Sequence, residues 1–92
     1  MTVTSHKFDL GRIVMTRGVN RMVRNGLDPI DYIRRHARGD WGDLDEGDKR
    51  RNEEAVDKGL RILSAYETEH GKIWIITEAD RHATTVLRPD EY

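Results

Sequence analysis

The segment that most constrains this chain is Lys72-Ile73-Trp74-Ile75-Ile76-Thr77. Its residues are mostly β-branched, with one tryptophan among them, and such side chains favour extended backbone over helix. Polar turn sequences flank it: Glu69-His70-Gly71 before, Glu78-Ala79-Asp80 after. Upstream, Leu60, Ile62, Ser64 and Tyr66 alternate with Arg61, Leu63 and Ala65, the period of a strand. Downstream, Arg81 to Leu87 returns as a third strand that Pro89 ends. Three strands joined by tight turns make an antiparallel meander, and the apolar face of a meander needs a covering layer.

The first two thirds supply that layer. Phe8 to Met15 combines alternation with a β-rich end and reads as an N-terminal strand, a helix being the alternative. Thr16 can cap a helix whose apolar stripe is Val19, Met22 and Val23, closed by Asn25-Gly26. Asp28-Pro29 starts a second helix, with Ile30, Ile33 and Ala37 facing the core and Gly39 at its end. An acidic, glycine-punctuated loop holding Trp41 precedes a third helix from Glu46 to Lys58, stopped by Gly59. That helix is polar nearly all round, with Ala55 and Val56 as its core candidates. The order β-α-α-α-β-β-β predicts an α+β fold: an antiparallel sheet with about three helices on one face. Residues 1–92 form one domain, and 1–7 are expected to be poorly ordered.

Chemistry is constrained as much by what is missing. With no cysteine, the chain has neither disulfides nor a thiolate metal site, which fits a reducing compartment. It carries no apolar run of membrane-spanning length and no signal-peptide core, so the expected location is the cytoplasm without membrane attachment. There is no Gly-x-Ser-x-Gly elbow, phosphate loop or dinucleotide fingerprint, and Ser5 and Ser64 have no base close in sequence. His6, His36, His70 and His82 lack ligand spacing. No catalytic residue, cofactor or metal is assigned.

Three polar groups remain as interaction candidates. Asp40, Trp41 and Asp43 share the loop after the second helix. His36, one turn upstream, could join the two carboxylates around a hard cation, but capping carboxylates and a tryptophan plug explain the same residues more simply. Trp74, Glu78, Asp80 and Arg81 cluster at the second turn of the meander, where an Asp–Arg pair is more often structural than catalytic. Arg34, Arg35 and Arg38 belong to a basic stretch that includes Arg12, Arg17, Arg21 and Arg24. Residues 1–39 carry a balance of +5 and residues 40–92 a balance of −6, for a net charge of −1. Arginines suit carboxylate or phosphate partners through paired hydrogen bonds. The third helix holds Asp45, Glu46, Asp48, Glu53, Glu54 and Asp57, which opposes its approach to nucleic acid.

The segments His36-Ala37-Arg38-Gly39-Asp40-Trp41-Gly42-Asp43 and Ile73 through Arg81, then Thr84 to Leu87 and Pro89 to Tyr92, resemble a family of small bacterial proteins. These proteins are encoded on plasmids, phages and other mobile elements, often under the label "plasmid-related protein" or "type I restriction endonuclease subunit M". The likeness runs from Phe8 to Tyr92. It implies a genomic setting and no assigned activity. The methyltransferase label does not suit the chain, which has two well-separated prolines and too little length for a cofactor-binding domain. The resulting expectation is a non-enzymatic protein that binds a host or mobile-element protein, one form being an inhibitor of a restriction or CRISPR-type defence. A homodimer is among the compatible states. The alternatives are a toxin-like ribonuclease or gyrase poison and a small DNA-binding regulator.

Overall fold

A computed structural model describes residues 6–92; the expectation of poor order at residues 1–7 lies largely outside them. The elements are β1 (Arg12–Met15), α1 (Arg17–Arg24), α2 (Pro29–Ala37), α3 (Glu46–Lys58), β2 (Ile62–Thr68), β3 (Gly71–Thr77) and β4 (Ala83–Leu87). A short 3₁₀ turn, Pro89–Glu91, follows. The fold is α+β, and its sheet runs in the order β1-β4-β3-β2. The meander forms as its alternation requires, with β2 and β4 each antiparallel to β3. The N-terminal strand departs from the expected antiparallel sheet, for β1 joins β4 in parallel and the sheet is mixed. No hairpin ties β1 to β4, and parallel neighbours need a long connection, which the helices provide.

Helix boundaries follow local chemistry. The Thr16 hydroxyl accepts from Val19 N, Asp28 from Ile30 N, and Asp45 from Asp48 N. Gly59, at φ 67°, gives α3 its left-handed stop. The strand limits are tighter than alternation suggested. Phe8–Leu10 precede β1 as irregular chain, Leu60 lies outside β2, and Arg81 lies in the turn before β4. Leu60 is 52% exposed for this reason.

Cross-strand register sorts the two sheet faces. Ile62, Ser64 and Tyr66 stand opposite Thr77, Ile75 and Ile73, while Val86 and Thr84 stand opposite Ile75 and Thr77. This face packs against Val19, Met22, Leu27 and Ile33 in one cluster, and Ile62 joins Phe8, Trp41 and Ala55 in a second. The helices therefore lie on one face, as the sequence predicts. Two expected core residues do not belong to it: Ile30 is 47% exposed and Val23 38%. Both helices are short, so each buries only the narrow stripe that meets the sheet, and residues at its margin stay in water. The opposite sheet face carries Ala65, Trp74, Ile76 and Leu87, with the Tyr92 ring edge-on to Trp74 at 5.6 Å.

Candidate interaction surface

The loop after α2 is built as a joint. Asp40 receives Arg35 Nε at 2.7 Å and Gly42 N at 3.2 Å. The Arg35 hydrogen bond, strengthened by its charge, holds the Asp40 carboxyl below the usual carboxylate range. Arg35 also lies over the Tyr66 ring at 4.7 Å, and the Tyr66 hydroxyl donates to the Asp40 carbonyl at 2.5 Å. Burial pushes the Tyr66 hydroxyl up to about 12, so it remains a donor. Gly42 forms a parallel bridge to Ala65, and Asp43 accepts from Glu67 N at 2.7 Å. This segment thereby covers the open edge of β2. Trp41 is 4% exposed, stacks on Phe8 at 6.1 Å and donates from Nε1 to Glu53 at 2.8 Å. It is a plug joining α3 to the sheet.

The second-turn residues do not converge on one another. Arg81, at φ 61°, turns away from Asp80 and donates to the carbonyls of Leu60, Glu78, Ala79 and Ala55. Asp80 instead accepts from His82 N at 3.0 Å, and Glu78 pairs with Arg61 at 3.5 Å. The turn residues have separate partners. Trp74, on the other sheet face, is half-buried beneath Tyr92.

His36 has moved furthest from its sequence reading. It does not face Asp40 and Asp43 but is fully buried beneath α2, with Nδ1 2.6 Å from Ser64 Oγ and Nε2 2.9 Å from Thr77 Oγ1. Thr77 and Thr84 hydroxyls lie 2.7 Å apart, and Thr84 donates to the Leu10 carbonyl at 2.7 Å. That last bond orients the whole chain. Thr84 spends its proton on Leu10, so Thr77 must donate to Thr84 and accept from His36 Nε2–H. His36 Nδ1 is then the acceptor, and Ser64 donates to it. Burial lowers the His36 pKa to about 3, which keeps the ring neutral and this direction of bonding intact. Ser64 and His36 have the spacing of a nucleophile and base, yet both have zero exposure, so a substrate cannot meet them. Among the described residues, no three His, Asp or Glu side chains gather as a metal site. Sequence reasoning missed this chain, although the β2 alternation already turned Ser64 inward.

What remains open is the basic surface. Arg17, Arg21 and Arg24 follow one another at i, i+4 and i+7, a single stripe on the outer side of α1. Arg34 on α2 and Arg38 at its C-cap follow at i and i+4. All five are exposed, and among the described residues none makes an ion pair; Arg12 on β1 is in the same state. Most acidic groups of residues 40–92 are engaged elsewhere: Glu46, Asp48, Glu53 and Glu54 pair within or beside α3, and Glu91 binds Thr16 and Gly18. The two charged portions of the chain do not neutralise each other across the fold. Two ion pairs are the exceptions, Arg35 with Asp40 and Lys7 with Glu53.

Comparison with known proteins adds no assignment. No family model, curated protein or solved structure matches the chain.

Proposed function

We propose that this protein is a non-enzymatic binding factor whose α1–α2 surface engages an acidic surface on a partner protein. The observation that carries this is the set of exposed arginines without ion pairs on the outer sides of both helices. Unpaired guanidinium groups on rigid elements are positioned to meet carboxylates by paired hydrogen bonds without reorganisation. Exposed Val23 and Ile30 on the same helices favour a protein over a phosphate backbone, because apolar contact adds to arginine at protein interfaces. The likeness to mobile-element proteins makes a host defence subunit the first partner to test.

The test is reversal of the α1 stripe, Arg17→Glu, Arg21→Glu and Arg24→Glu together. These side chains are exposed, so the melting midpoint is expected to hold within a few degrees. Immobilised native protein should retain an acidic protein from an extract of its host at low ionic strength and release it at high salt. The reversed variant should retain none. Equal retention by both proteins would overturn the proposal.

A second reading rests on the α1–α2 corner. Asn25–Asp28 joins the two helices through a short turn containing Gly26, as in helix-turn-helix DNA-binding units. Asp28 and Asp31, however, flank the start of α2, the end from which a recognition helix reads base edges. Duplex binding that weakens steeply with salt and disappears in the same variant would favour this reading.

A further inference from the structure

The free edge of the sheet carries an inference about assembly. Arg12 N donates to the carbonyl of His82, just before β4, and Thr16 N to that of Val86 within it. Backbone groups alternate along a strand, so those of Ile13 and Met15 point away from β4 to the outer edge. The other edge of the sheet, β2, is covered by Gly42–Asp43, but among the described residues nothing pairs with β1. Ile13 and Val14 are each 38% exposed, and the strand has no proline, lysine or bulge of the kind that discourages edge pairing.

We infer that β1 pairs with β1 of a second copy, antiparallel about a two-fold axis at Val14, joining two sheets into one. This register matches Ile13 with Met15 of the other copy, so every outward N–H of the strand meets an outward C=O. Val14 meets its own counterpart at a non-hydrogen-bonded position, where side chains approach closest. Arg12 falls opposite Thr16 of the other copy. There the Thr16 hydroxyl already holds the Glu91 carboxylate at 2.6 Å, so an arginine without an ion pair is brought towards a carboxylate. Pairing about Ile13 or about Met15 instead leaves part of the outward set to residues beyond the strand and loses this charge match. α1 does not obstruct the edge, since Val19 and Met22 pack inward over β3 and β4. The dimer would also present two arginine surfaces to a partner.

Only short strands meet, so the association is weak, with a dissociation constant roughly between micromolar and millimolar. Sedimentation of the full chain should show mass rising from one copy to two across that range. Because the chain has no cysteine, Val14→Cys gives a clean probe. Under mild oxidation it should form a covalent dimer, whereas Arg21→Cys on the exposed side of α1 should not. Ile13→Pro removes an outward donor, and Val14→Lys sets like charges face to face. Each should weaken the dimer at least about tenfold. Val14→Lys guards against a proline variant that fails to fold, since its exposed position tolerates the charge. A single-copy mass at millimolar protein, equal cross-linking at Arg21→Cys, or a dimer unchanged in both edge variants would overturn the inference. So would a single-copy mass with the Ile13 and Met15 amides protected from exchange, which would mean that another segment of the same chain occupies the edge.

Discussion

His36 shows how a single residue acquires a property absent from its sequence neighbourhood. Sealed between α2 and the sheet, it is held neutral, with its pKa lowered to about 3 by burial. The unfolded chain takes up the proton near the ordinary value of 6.5. Between those limits the unfolded state binds more protons than the folded one, so stability falls as pH falls from about 6.5 and is level above it. The slope approaches about 1.4 kcal/mol per pH unit for one proton. Urea midpoints taken between pH 7 and pH 5 should show this loss before Asp40 begins to protonate, and His36→Gln should flatten it. A slope unchanged in the variant would place the effect on another group. Trp41 is legible in a different way: a lone tryptophan in a glycine-rich loop reads equally as a plug or a contact. Its 4% exposure makes it a plug, and Trp41→Ala is expected to cost about 3 kcal/mol in chemical unfolding.

At the scale of elements, α3 is secured by polar contacts at its middle and near its C-terminal end. α3 offers little apolar surface and is held by Asn52, whose side chain exchanges hydrogen bonds with Leu63 N and O, and by Arg81, which donates to its Ala55 carbonyl. Arg81→Ala should therefore lower stability by about 1–2 kcal/mol, with the loss seen first as faster amide exchange near Leu60. Arg81→Lys, lacking the planar fork, should recover only part of it. Exchange unchanged near Leu60 would show that α3 does not depend on this residue. The Gly42–Ala65 bridge is equally local. A Cβ at Gly42 would overlap the Ala65 carbonyl, and the backbone there is at φ 77°, so Gly42→Ala should detach the loop and expose the β2 edge. The helix caps and the central strand were readable because each depends on residues within a few positions. Strand limits at Phe8, Leu60 and Arg81 were not, since pairing partners decide where a ladder stops.

Across the whole molecule, the turn after β4 is tied to the start of α1. Glu91 accepts from the Thr16 hydroxyl and from Gly18 N, placing a C-terminal carboxylate at the start of α1, and the Thr16 hydrogen bond holds its pKa below the ordinary value. Glu91→Gln should reduce stability modestly, by about 0.5–1 kcal/mol at low salt and less at high salt, as expected for a charge at a helix N-terminus in water. A thermal midpoint independent of salt in this comparison would argue against the charge. By itself, the sequence determined the α+β class, the antiparallel meander, the three capped helices and their single covered face. Alternation, capping residues and turn chemistry act over short spans and are written residue by residue. Only the tertiary structure decided that β1 runs parallel to β4, that His36 joins Ser64 and the threonines, and that the arginines of α1 and α2 are left without ion pairs. Those outcomes depend on which distant groups meet. That is set by how the layers pack, because an interaction between residues far apart in the chain has no local period to reveal it.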